Sequence, residues 1–96
     1  MADVTVVSKP YGYRCHTGTT IKTIDSADRE LRIKGIQVWG NGADTAVFTE
    51  GDGSVFAKFT IATTAKDEYL PCWGARVKGL RVTHSAPTIE SRVIIE

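Results

Sequence analysis

Leucine is nearly missing from this sequence: Leu31, Leu70 and Leu80 are the only three among 96 residues. A chain so poor in the commonest helix-forming apolar residue has little material for amphipathic helices. An excess of charge of either sign is also lacking. Twelve Lys and Arg face eleven Asp and Glu, for a formal net charge of +1 spread along the chain. No basic block of the kind that neutralises phosphates is present, which argues against nucleic acid as the main ligand. No apolar run approaches the roughly 18–20 residues that span a bilayer, so no membrane partner is expected. Met1-Ala2-Asp3-Val4 has neither a positive n-region nor an apolar h-region. Unless a leader was trimmed, synthesis in a cytoplasm is the expectation.

Chemistry-bearing residues are equally sparse. Cys15 and Cys72 are the only cysteines, 57 positions apart and outside any C-x-x-C. A reducing compartment favours two separate thiols over a disulfide, and metal binding has little support. The histidines are His16 and His84. Cys15 and His16 are neighbours, so on a strand they would point to opposite faces and could not act together, and the histidines read as exposed loop residues. Neither G-x-S-x-G nor G-x-x-x-x-G-K occurs. Glu50 and Asp52 flank a turn and Asp67-Glu68 lie in a polar stretch, which is where any β-protein carries acids, so a glycosidase pair is not indicated. Gly51-Asp52-Gly53 lacks the alternating oxygen ligands of a calcium loop. The sequence reads as a non-enzyme with no cofactor and no metal.

What the chain has in quantity is β-branched side chains. Val, Ile and Thr number 9, 8 and 12, or 29 of 96 residues. They lose rotamer freedom in helices and pack well on pleated surfaces, so an all-β fold is expected. Ninety-six residues make one domain with a modest core, of which roughly 60–65% of the unfolded surface is buried. Strand signals recur at short spacing over residues 3–7, 20–24, 31–39, 45–50, 54–61, 69–73, 77–83 and 89–95. Residues 8–19 read as an irregular arm and 25–30 as a polar turn. Residues 40–44, 62–68 and 84–88 read as further turns or loops. The clearest hairpin turns through Gly51, Asp52 and Gly53, with Val55, Ala57, Phe59 and Ile61 alternating along its second arm. About eight short strands at this spacing predict a single-domain antiparallel β-sandwich or jelly roll. Its core would span residues 20–96, with an N-terminal strand and extended arm over 1–19.

One motif appears twice. Arg32-Ile33-Lys34-Gly35-Ile36-Gln37-Val38 is matched by Arg76-Val77-Lys78-Gly79-Leu80-Arg81-Val82. In the first copy the apolar parity changes across Gly35, and in the second it changes across Gly79. One inserted residue flips the alternation of a strand, so both glycines are expected at β-bulges. The aromatics Tyr11, Tyr13, Trp39, Tyr69 and Trp73 fit three roles: core, protein interface, or sugar-stacking platform. Trp39 is expected partly buried. Trp73 follows Pro71 on a strand that proline confines to a sheet edge, and is the better contact candidate.

The stretch from about residue 20 to residue 96 resembles small virion proteins of tailed bacteriophages. The resemblance rests on Lys34-Gly35-Ile36-Gln37-Val38, the Gly51-Asp52-Gly53 hairpin, Lys78-Gly79-Leu80-Arg81-Val82 and the apolar strand Arg92-Val93-Ile94-Ile95. It implies a sandwich or jelly-roll subunit in the virion, assembled in the host cytoplasm and binding the major capsid protein or another virion protein. The commonest such role is capsid decoration or cement by a homo-oligomer. It transfers no catalytic residue. Pro10, Tyr11, Tyr13 and Arg14, outside the matched stretch, and Trp73 within it are then the candidate protein contacts. A carbohydrate-binding module with a glycan partner and a tail or head–tail connector subunit are the alternatives.

Overall fold

The protein, represented by a computed structural model, is described here over residues 4–16, 18–40, 44–61, 66–86 and 88–96. Among the described residues nine strands are formed: β1 (Thr5–Lys9), β2 (Gly12–His16), β3 (Lys22–Thr23), β4 (Glu30–Gly40), β5 (Asp44–Thr49), β6 (Val55–Ile61), β7 (Lys66–Lys78), β8 (Arg81–His84) and β9 (Glu90–Ile95). They build two antiparallel sheets, ordered β1-β2-β9-β4-β7 and β3-β8-β5-β6. The all-β sandwich expected from the β-branched composition is the observed fold. Only β1–β2 and β5–β6 are hairpins within one sheet. Every other connection crosses between sheets, which is jelly-roll connectivity. The radius of gyration is 12.1 Å, matching the ~12 Å of one compact domain of this length.

The core lies between the sheets. Tyr13, Cys15, Ile33, Ile36, Val38, Val77 and Val93 of the larger sheet meet Ala46, Phe48, Phe59, Ile61 and Val82 of the smaller one, all buried. Phe48 and Phe59 pack edge to face, with centroids 6.0 Å apart and planes at 82°, the geometry their ring quadrupoles favour. Along β6 the alternation holds from Ala57 onward, while Val55 beside the turn is exposed.

The two copies of the repeated motif have different fates. In β4 the ladders to β7 and β9 both shift register between Ile33 and Gly35. Lys34 is the surplus residue against β9, so Leu31 and Ile33 are buried before the bulge and Ile36 and Val38 after it. Against β7 the surplus lies on the other strand, where Cys72, Trp73 and Gly74 stand opposite Lys34 alone. The second copy corrects the expectation of one strand over residues 77–83 with a bulge at Gly79. β7 ends at Lys78, and β8 starts at Arg81 in the other sheet. Gly79, at φ 66°, makes the corner. A Cβ there would lie 2.8 Å from the Ala27 carbonyl oxygen and 3.0 Å from Gly51 Cα. The Gly79 amide donates to the Arg29 carbonyl at 3.2 Å, and the Gly51 amide donates to the Lys78 carbonyl at 2.9 Å. A corner flips side-chain parity as a bulge does, so the pattern alone suits both.

Two further expectations are corrected. The strand expected over 3–7 is β1, but residues 12–16 of the expected arm over 8–19 form β2, which makes a hairpin with β1 and sits inside the sheet against β9. Only Tyr13 and Cys15 of β2 point inward, too short an alternation to stand out, and Val4 is buried as well. Residues 66–68 belong to β7, a 13-residue edge strand that carries Pro71 within it. Trp39, expected partly buried, is half-exposed on the outer face of its sheet, at 47%. The turn expected at 41–43, the loop at 62–65 and Pro87 lie outside the described residues.

Candidate functional site

The outer face of the five-stranded sheet gathers the exposed aromatics. Strand register sets them in rows. Arg14, Arg92, Gln37 and Tyr69 align across β2, β9, β4 and β7, and the next row is Gly12, Ile94, Gly35 and Pro71. The two glycines leave this second row low. The Tyr69 phenol lies over Gly35, where a Cβ would overlap it, so an aromatic side chain covers the backbone that glycine leaves bare. A groove of about 660 Å³ follows, walled by Tyr11, Tyr69, Pro71 and Trp73, with Lys34 beside it and Ile94 in its floor. It shares Tyr11 and Ile94 with a second hollow of about 380 Å³ bordered by Lys9, Pro10, Arg14 and Arg92.

Two of the groove's walls are held in uncommon backbone. Tyr11, in the β1–β2 turn, has φ 70° and is 84% exposed; Trp73, in the β7 bulge, has φ 50° and is 85% exposed. A bulky residue at positive φ costs of order 1–3 kcal/mol and persists where its surroundings over-determine it, commonly at binding sites. For Tyr11 one constraint is the Ile95 amide, which donates to its carbonyl at 3.0 Å. A third row places Trp39 between Glu90 and Asp67 as cross-strand neighbours. The Gln37 amide donates to both Asp67 carboxylate oxygens at 3.1 Å. Glu90 pairs with Arg14 at 3.7 Å and lies 3.8 Å from His16.

Of the candidate contacts, Pro10, Tyr11, Arg14 and Trp73 meet on this face, and Tyr13 does not. Tyr13 is a core residue whose hydroxyl donates to Asp25 at 2.9 Å. Burial, then the Asp25 carboxylate, push its pKa up. The Gly51-Asp52-Gly53 turn is a structural hairpin, with Gly53 at φ 92° and Asp52 accepting from the Ser54 amide at 2.9 Å. Sequence reasoning passed over Lys34, Arg92 and Ile94. Their only signal is alternation: each faces away from a buried neighbour.

The polar cluster of His84, Ser91 and Cys15 inside the core is chemically quiet. His84, expected in an exposed loop, is fully buried at the end of β8, and its Nε2 lies 2.8 Å from the Ser91 hydroxyl. Its Nδ1 has no hydrogen-bond partner among the described residues. Burial, helped by the charge of His16, lowers its pKa to about 4. Cys15, which also hydrogen-bonds Ser91, is pushed up to about 12 by burial. A thiol that stays protonated and reaches no solvent is not a nucleophile. Cys15 and Cys72 are both free. Among the described residues no three His, Cys, Asp or Glu are grouped to hold a metal ion, and no helix is long and apolar enough to cross a membrane.

No family model matches the sequence, and comparison with curated proteins gives no match. Solved structures with some likeness include CapF with the inhibitor 3-isopropenyl-tropolone, at TM-score 0.37 and 5% identity. The capsular polysaccharide assembling protein CapF from Staphylococcus aureus is at 0.33 and 4%. Each alignment covers 99% of this chain and about 30% of the other. Likeness at that level carries no argument about function.

Proposed function

We propose that this domain is a non-enzymatic structural subunit of a tailed-phage particle, attached to the major capsid protein as a decoration or cement subunit. The carrying observation is the groove of Tyr11, Tyr69, Pro71, Trp73 and Ile94, an apolar surface with no covering element among the described residues. Clustered exposed aromatics on a rigid sheet are what a docking face needs. The phage assignment rests on the sequence resemblance of residues 20–96. The proposed place of action is the virion, assembled in the host cytoplasm, where many weak copies on a lattice sum to firm attachment. Assembly as a homo-oligomer belongs to the same proposal.

The test is co-sedimentation of the whole domain with purified capsids of its source, with glycan-coated beads as control. Saturable binding at many copies per particle is the expected result. A few copies per particle would favour a tail or head–tail connector position. Retention on glycan beads without capsid binding would overturn the proposal in favour of a carbohydrate-binding module. That reading draws on Trp39, half exposed between Glu90 and Asp67.

A further inference from the structure

Arg14 and Arg92 stand directly opposite each other on β2 and β9. Like charges in that position destabilise an antiparallel pair. The cost is only partly offset, because Glu90 serves Arg14 and His16 together, and neither Arg92 nor Lys9 has an ion-pair partner among the described residues. Lys9, Arg14 and Arg92 border the same hollow, and no carboxylate of the described residues lines it. Lys34 adds a fourth cation beside the aromatic groove, where Glu96 is the single acid. A local arrangement that costs stability without an internal gain marks a functional position.

Cations beside a groove of Tyr and Trp call for an occupant with carboxylates and an apolar anchor. Tyr, Trp and Arg are also the residue types that dominate protein-interface energetics. A neutral sugar fits less well, since its hydroxyls need acceptors as well as donors, and the charged side chains of the Arg14–Arg92 hollow are all donors. Four strands span three spacings of ~4.8 Å, or about 14 Å, the length of about four extended residues.

We infer that this groove binds a short acidic segment of a partner protein, its carboxylates on Arg92, Arg14, Lys9 and Lys34 and an apolar side chain between Tyr11, Tyr69 and Trp73. The inference rests on the docking reading above and supplies the partner's chemistry.

The test titrates the whole 15N-labelled domain with the blocked peptide Glu-Glu-Leu-Glu-Glu at low salt. The basic counterpart Lys-Lys-Leu-Lys-Lys and a polyuronate oligosaccharide are run in parallel. The acidic peptide is expected to shift the amide signals of Tyr11, Arg14, Arg92 and Ile94 and the Trp73 indole signal, with Kd of about 1 mM or tighter. The Arg92→Glu/Lys34→Glu variant, with its other signals unchanged, is expected to bind at least about tenfold more weakly. Equal response to both peptides, or response to neither, overturns the inference. Response to polyuronate alone overturns it in favour of an anionic glycan. The same variant in the capsid assay separates the two proposals. Peptide binding without capsid binding leaves the inference standing and sinks the capsid reading. Capsid binding that the variant retains in full, with no peptide response, does the reverse.

Discussion

Residues 32–38 and 76–82 carry one pattern and build two different structures. In both copies the same three aliphatic positions are buried: Ile33, Ile36 and Val38 in the first, Val77, Leu80 and Val82 in the second. What differs is the backbone between them. The first copy stays in one sheet and takes up a surplus residue at Lys34. The second leaves the larger sheet at Gly79 and enters the smaller one. An apolar pattern that changes parity fixes which side chains are buried. Whether the chain kinks or turns a corner depends on what meets the glycine. At Gly35 that is the side chain of Tyr69; at Gly79 it is the backbone of Gly51 and Ala27. A side chain can move aside, whereas backbone in a hydrogen-bonded corner cannot.

The contrast is tested first at Gly79. Gly79→Ala places a Cβ at positive φ against two backbone atoms. The expected loss is about 3 kcal/mol, the sum of left-handed strain and overpacking. In a domain of this size that lowers Tm by roughly 12–24 °C, readable by calorimetry. A loss below about 1 kcal/mol would mean that the corner is not rigid.

The next effect comes two residues beyond the second copy. His84 is buried neutral, with a pKa of about 4. The unfolded chain takes up the proton near pH 6.5, before the folded one does, so the unfolded state gains as pH falls. The stabilisation is complete above about pH 6.5, declines between 6.5 and 4, and levels off below. The total loss is on the order of 3 kcal/mol. Urea melts at pH 7.5, 5.5 and 4 should follow that curve, and His84→Gln should flatten it.

Gly35→Ala is expected to cost less than Gly79→Ala, about 1 kcal/mol, because the half-exposed Tyr69 ring can swing away. Tyr69→Ala combined with Gly35→Ala should recover part of that loss, and a double-mutant cycle measures the coupling. Strictly additive losses would show that the ring does not rest on Gly35.

The smallest stability effect compares matched lysines. Lys34→Glu and Lys78→Glu should each change stability by no more than about 0.5 kcal/mol, since both are exposed. Only Lys34 flanks the aromatic groove, while Lys78 borders the Gly51 turn. Binding of the acidic peptide should therefore weaken with Lys34→Glu and stay unchanged with Lys78→Glu.

Much of the fold was legible. The hairpin through Gly51, Asp52 and Gly53 and the long strand containing Leu31 to Trp39 follow from local pattern and turn chemistry. β2 was not legible, because it contributes only Tyr13 and Cys15 to the core and its partner, β9, lies more than 70 residues away. His84 misled for a related reason. A histidine next to a turn reads as exposed unless one knows that Ser91 waits across the sandwich. The site was half legible: Tyr11 and Trp73 stood out as aromatics beside proline. Lys34, Arg92 and Ile94 became site residues only through register.

The sequence by itself determined an all-β chain and which aliphatic side chains are inward, because β-branched composition and local alternation act within a few residues. Tertiary structure alone decided that Gly79 is a corner rather than a bulge like that at Gly35, that Tyr13 is core, and that Tyr11, Tyr69 and Trp73 wall one groove. Those outcomes depend on the register between strands distant in the chain, and register is set by how the whole core packs rather than by any one segment.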